Sequence, residues 1–518
     1  MADGESGKEP GADPPGGSGG DRGAVDRLVG WFDSRLGLSH EVLRPAPVYS
    51  VNPFYWLGAL AVVAFIIQGV TGVMMMLYYI PTPTQAYSST LYIFQSVSFG
   101  TFLETVHLYT AYAMIMLAFM HMMRGFFVSV QKQPREVMWV VGMAMGFVTL
   151  GFGFTGYLLP WTVISVSATN VSKGMIAALP QPLSSFLTFL VIGAGGDAGE
   201  LLRFYDLHVV LLPAILLLLL AVKMYMLETH GVSEPVTGPD PLPPQKRRLI
   251  PIFPDLSFYL LELACLFGAA MLLLSLALPL TLPVQYSAAA AAGLKVQPDW
   301  YFLWIYQIIK IGAFETAGLP VALSAVSLVF ILLIVLPFID RGRTRRIERR
   351  MKYVAIGLIF VAEVAVLTIW GYLTPGLVIP TEQAVVLLGG TALLVALGTV
   401  VAYRLIFRGL PKASPSSPGQ GPTTHSYATR SFDVATLWTA GSFVAILVLG
   451  TVGISNCVSL AVDLFEQGPS LSLALPAALS LAELSVAVFG VIYLVYRLDL
   501  GSGSIKRRVK ALEVGWKA

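Results

Sequence analysis

Ten apolar runs, each long enough to cross a hydrocarbon core of about 30 Å, restrict this chain to one kind of architecture. They lie near residues 54–80, 104–130, 136–158, 204–227, 257–280, 320–339, 353–374, 382–407, 433–459 and 472–496. In lipid a backbone N–H or C=O has no water to bond, so runs of this length must be helices. The expected fold class is all-α, a polytopic transmembrane helical bundle of about ten spans. Composition agrees, with 56% hydrophobic and 12% charged residues among 518, against roughly 25% charged in a soluble chain. The net charge of +3 is small and its basic residues fall in loops, which excludes a nucleic-acid partner. Cys265 and Cys457 lie in apolar stretches without metal or haem-attachment spacing, so both are expected to be inert packing residues.

Basic residues cluster at 132–135, 246–248, 341–352, 404–412 and 506–510, in alternate connections or in the tail. The positive-inside rule puts these and both termini in the cytoplasm, with the chain multi-pass in the cell membrane. The opposite connections, 81–103, 159–203, 281–319 and 460–471, are poor in Lys and Arg and include the longest. Long outer loops of this kind are where a site is built. The expected organisation begins with a disordered tail (1–28) and an amphipathic surface segment (29–50). An N-terminal bundle (51–250) and a C-terminal bundle (251–411) follow. A Pro- and Ser-rich linker (412–431), a two-span extension (432–500) and a cytoplasmic tail (501–518) complete it.

On the second run His107 and His121 are 14 residues apart, which is about 21 Å and close to four helical turns. They therefore share a face at two membrane depths. A single intramembrane histidine is as readily a hydrogen-bonded interior residue; two at whole-turn spacing suit two stacked haems, for which neutral imidazole is a good axial ligand. The same interval separates Gly58 from Gly72 and Gly142 from Gly156. Glycine also serves plain helix packing, but a flat macrocycle lying against a helix needs a missing side chain, and two macrocycles need it twice.

These residues, with Gln68 four before Gly72, the run Gly156-Tyr157-Leu158-Leu159-Pro160-Trp161 and the run Pro298-Asp299-Trp300-Tyr301, resemble the cytochrome b family over residues 50–340. The resemblance implies a di-haem four-helix core in which helices two and four supply the ligands of two b-type haems. His208, in Arg203-Phe204-Tyr205-Asp206-Leu207-His208 with Pro213 following, then pairs with His107 on the outer haem. The last ligand is expected 14 or 15 residues further on, where this chain has Val222 and Lys223 and no histidine. The extra residue before Pro213 favours the chloroplast-type spacing and so Lys223. A neutral lysine amine can donate to iron; the other reading has Lys223 snorkel to the interface or pair with a haem propionate. Arg124 matches a propionate partner, whereas Glu104 stands where the family has arginine, and Glu228 stands where relatives of the inner quinone site have histidine.

Oxidising a quinol requires a proton acceptor beside a protected pocket, and Asp299 is the candidate base. The other reading is a loop aspartate that caps the following helix. Tyr157 and Tyr301 carry over from the resemblance as pocket residues, and the loop 160–180 as a docking surface for a Rieske-type iron–sulfur protein. The function implied is that of a di-haem subunit of a quinol-oxidising respiratory complex, an oxidoreductase that is expected to be a homodimer and to deliver electrons to a cytochrome c or a terminal oxidase. A haem-containing anchor without its own quinol turnover is a second reading. A transporter is a third, for which neither internal repeats nor a use for haem-spaced histidines is visible.

Overall fold

The computed structural model describes residues 45–193, 196–233, 249–292, 297–342 and 344–406. Within them eight helices are long and apolar enough to span a membrane: α1 (Pro53–Met76), α2 (Gly100–Phe127), α3 (Glu136–Leu158), α4 (Gly196–His230), α5 (Ser257–Ala277), α6 (Leu319–Ile339), α7 (Met351–Leu373) and α8 (Thr381–Arg404). They correspond to the first eight apolar runs. The ninth and tenth runs, the linker, the N-terminal tail and most of the surface segment lie outside the described residues.

Boundaries shift where backbone chemistry outweighs hydropathy. The first helix stops at Met76 rather than running on to residue 80, just ahead of Pro81. The second begins at Gly100, because Phe99 in a left-handed conformation turns the chain into it. The fourth is longest and contains one π turn, Leu207–Leu211, immediately before Pro213. Proline has no N–H to give and crowds the preceding turn, so the helix widens there without breaking.

Helices α1 to α4 pack in sequence, α1 on α2, α2 on α3 and α3 on α4. A second group lies against this bundle. Tyr259, Leu263 and Phe267 of α5 join Leu57, Leu60 and Ala64 of α1 and Met114 and Leu117 of α2 in one buried cluster. Met123 and Phe126 of α2 pack with Trp139 and Met143 of α3 against α6 and α7, and the Trp139 indole donates to Leu333 O at 2.8 Å. Outward faces are apolar as well, as on α8, where Val386 is 74% exposed; lipid, not water, is their solvent. Cys265 is exposed on such a face, which corrects the expectation that it packs in the interior. Cys457 lies outside the described residues.

The long connections gather at one end. Thr162 bridges to Gln285 and the Val163 N–H donates to Val284 O at 3.1 Å, tying the α3–α4 loop to the α5–α6 loop. Lys173, on the loop helix Val163–Ala177, pairs with the buried Glu200 at the start of α4 at 2.6 Å. At the opposite end Asp340 is buried between Lys132, 3.0 Å away, and Arg350, which also donates to Ser129. This cluster joins the α2–α3 turn to the α6–α7 turn, so the two halves of the chain are held by paired charges where a lone buried charge would be costly.

Candidate functional site

The two outer histidines face each other across the four-helix bundle. Their ring centroids are 6.4 Å apart, close to the separation that two imidazoles on opposite sides of one metal ion need at about 2 Å per metal–nitrogen bond. Each Nδ1 is already occupied. Thr71 Oγ1 lies 2.8 Å from His107 Nδ1 and Thr155 Oγ1 lies 3.0 Å from His208 Nδ1. Each threonine hydroxyl gives its proton to its own helix, Thr71 to Ile67 O at 2.7 Å and Thr155 to Gly151 O at 2.8 Å. Its lone pair therefore accepts Nδ1–H, which fixes the tautomer and leaves Nε2 free as the metal donor.

All four sequence-selected glycines meet the four sequence-selected ligands one to one. A methyl placed on Gly72 would lie 3.4 Å from His107, on Gly156 2.8 Å from His208, on Gly58 3.0 Å from His121, and on Gly142 3.0 Å from Lys223 Nζ. The glycines keep open the space in which a macrocycle would lie against the ligand tips, and the residues present fit two haems. Among the described residues His121 Nδ1 is a buried nitrogen with no hydrogen-bond partner, so no threonine there braces it as Thr71 and Thr155 brace the other two histidines. The Arg124 guanidinium lies over the Tyr55 ring, 3.9 Å from its centroid. The Gln68 amide donates to His107 main-chain O at 2.6 Å and so ties α1 to α2 beside the first histidine.

Asp299 sits at the N-cap position of the helix Trp300–Ile309 but makes no side-chain cap bond. Its two oxygens are used elsewhere. Tyr112, five residues after His107 on α2, donates to Oδ1 at 2.9 Å, and Tyr301 donates to Oδ2 at 3.3 Å. Tyr157, in the last turn of α3, is close enough to feel the carboxylate charge. Burial pushes the Asp299 carboxyl above the usual carboxylate range, opposed by the bonds from Tyr112, Tyr301 and the Trp300 N–H. Burial and then the charge of Asp299 push the Tyr301 phenol well up, so it stays a donor. The three sequence-selected residues are thus brought together.

Sequence reasoning missed Tyr112, Gly153 and the two threonines. The threonines had a readable signal, since Thr71-Gly72 and Thr155-Gly156 are one dipeptide repeated at the outer level. Gly153 admits Tyr301: a methyl there would stand 2.9 Å from its Oη and Cε2 and 3.0 Å from Ile115 Cδ1. Because Tyr301 is only 5% exposed, it has little room to yield. If the site turns over quinol, as the family resemblance implies, Gly153→Ala is expected to lower that turnover by roughly 10²-fold, the usual cost of moving a positioned group by about 1 Å. Haem absorbance should not change. Full turnover in a steady-state quinol oxidation assay would remove Tyr301 from the site.

Comparison with known proteins identifies the family. Residues 44–231 match the model described as Cytochrome b/b6/petB, and residues 288–394 match Cytochrome b(C-terminal)/b6/petD. The chain is 33% identical over 324 residues to a cytochrome bc complex cytochrome b subunit of Chlorobaculum thiosulfatiphilum, covering 61% of this chain and 74% of that one. It is 37% identical over 211 residues to a cytochrome b6 of Prochlorococcus marinus, covering 40% of this chain and 96% of that one. In fold it is similar to a chain solved in a hyperthermophilic respiratory Complex III, with a TM-score of 0.55 at 24% identity, covering 73% of this chain and 97% of the other. Bundle and site together define a membrane-integral protein of electron transport. The chain belongs to the cytochrome b family.

Proposed function

We propose that the chain is the di-haem subunit of a quinol-oxidising complex of the cell membrane, with both termini in the cytoplasm. The observation that carries this is the convergence of Tyr112, Tyr301 and Asp299 beside the histidine-bearing helix. Removing two electrons from a quinol also releases two protons, so a base must stand at a hydroxyl. The ionised Asp299 carboxylate accepts one of these protons, while the two phenols donating to it fix the orientation of its lone pairs. Trp300 lies edge-on to Tyr112, Phe302 is tilted against Tyr301, and Phe154 lies edge-on to Phe302, which gives the carboxylate an apolar surround.

His107 and His208 would hold the outer haem through Nε2. His121 and Lys223 would flank the inner one, with Arg124 for its propionates. When bound, the haems supply a one-electron path between the two levels of the membrane. The other electron leaves to a Rieske-type iron–sulfur protein docked on the outer loop 160–180, whose helix is braced by the Lys173–Glu200 pair. A homodimer delivering to a cytochrome c or a terminal oxidase completes the assembly. The test is anaerobic addition of quinol to the purified complex. Two b-type absorbance components should become reduced; haems that stay oxidised would identify a passive anchor, and a preparation without haem would sink both readings.

A further inference from the structure

We infer that the Lys223 amine is an iron ligand, so that the inner haem is held between one imidazole, His121, and one primary amine. This deepens the di-haem reading and rests on it. The first support is positional. Gly156 faces His208 on α4, and Gly142, one haem interval away on α3, faces Lys223 Nζ at a comparable 3.0 Å from the methyl it lacks. On the other side of the bundle Gly72 and Gly58 face His107 and His121 in the same way. Four glycines mark four ligand tips, and the fourth tip is an amine nitrogen.

The second support is register. Fifteen residues separate His208 from Lys223, against fourteen between His107 and His121. The π turn Leu207–Leu211 at His208 takes up one residue more than an α turn does. The remaining rise is therefore that of fourteen α-helical residues, about 21 Å, the same as on α2. Val222, the other residue at this level, is 37% exposed and turned outward.

The third support is chemical. Among the described residues the Lys223 amine has no hydrogen-bond or ion-pair partner. An ammonium facing an imidazole inside a bundle, with no carboxylate, is disfavoured. Coordination replaces the N–H bond by an N–Fe bond made with the same lone pair, and the released proton goes to solvent. Snorkelling does not describe the geometry, because α4 continues to His230, seven residues past Lys223, while Nζ is directed at Gly142. Arg124, one turn beyond His121, supplies the propionate cation.

The test uses the purified complex and three readouts: haem per chain by pyridine haemochrome, ferric-state electron paramagnetic resonance with near-infrared magnetic circular dichroism, and carbon monoxide binding after reduction. The wild type should contain two low-spin haems, one bis-imidazole and one imidazole–amine, neither binding carbon monoxide. Lys223→Ala should make the inner haem high-spin and raise carbon monoxide binding from none to about one equivalent per chain, and Lys223→His should give two bis-imidazole spectra. Two bis-imidazole signatures in the wild type, an inner haem that already binds carbon monoxide, or an alanine variant with unchanged ligation would each overturn the inference and leave the di-haem reading standing. A single haem per wild-type chain would overturn both. Should the alanine variant fail to assemble, the wild-type near-infrared spectrum still decides.

Discussion

Replacing Asp299 by asparagine is expected to slow quinol oxidation by about 10²- to 10⁴-fold, the range that a positioned general base contributes, while both haems stay in place. The amide is isosteric, so packing is preserved; its oxygen can accept one of the two hydrogen bonds that Tyr112 and Tyr301 donate to separate carboxylate oxygens, while its NH2 donates to the other phenol oxygen instead. What it loses is a lone pair basic enough to take the quinol proton. The pH profile gives an independent check. Because burial raises the Asp299 carboxyl above its ordinary value, the ionised, working form disappears as pH falls through that raised value. The acid limb of turnover should therefore lie above the range of an exposed aspartate, and the asparagine variant should lack that limb. Wild-type turnover in the variant, or an acid limb that survives the substitution, would place the base elsewhere.

The outline of this site was legible because the proposed haem pair would impose one length on several helices. His107 and His121, Gly58 and Gly72, and Gly142 and Gly156 each repeat that length in sequence, and the structure sets each glycine against one of the four residues proposed as ligands. The fourth helix hid its period. Its π turn lengthens the sequence interval without lengthening the helix, so a fixed interval of fourteen points to Val222, and it is the extra residue before Pro213 that selects Lys223. The Asp299 cluster was legible only in part, for a different reason. Asp299 and Tyr301 are neighbours in the chain, but Tyr112 reaches the carboxylate from α2 across 187 positions, and no local pattern announces a contact of that range. Gly153 was hidden by its surroundings, since α3 has glycines at 151 and 156 as well; which of them receives Tyr301 depends on how the loop helix Trp300–Ile309 docks. The buried Asp340 cluster is a similar case, because Lys132 and Arg350 read as ordinary cytoplasmic charges until the two turns are brought together.

His208→Ala is expected to lower the haem content from two to one per chain, with loss of the outer component and retention of the inner. The two imidazoles stand with centroids 6.4 Å apart, so removing one leaves a gap beside Gly156 and the edge of Phe152, where the nearby Thr155 hydroxyl is held to Gly151 O and offers no replacement imidazole. His107→Ala should give the same spectrum for the same reason. A milder substitution separates ligation from folding. Thr155→Val keeps the imidazole but removes the oxygen 3.0 Å from His208 Nδ1, which fixes the tautomer that presents Nε2. Loss of such a brace weakens a metal site by about 10- to 100-fold, so the valine variant should assemble with the outer haem present but more easily extracted. Among the described residues His121 Nδ1 has no such brace, so neither Thr71→Val nor Thr155→Val should alter the proposed inner haem. Pyridine haemochrome titration of the purified complex with low-temperature spectra of the two components measures all of this. Two haems in His208→Ala, or loss of the inner component in place of the outer, would reject the pairing of His107 with His208.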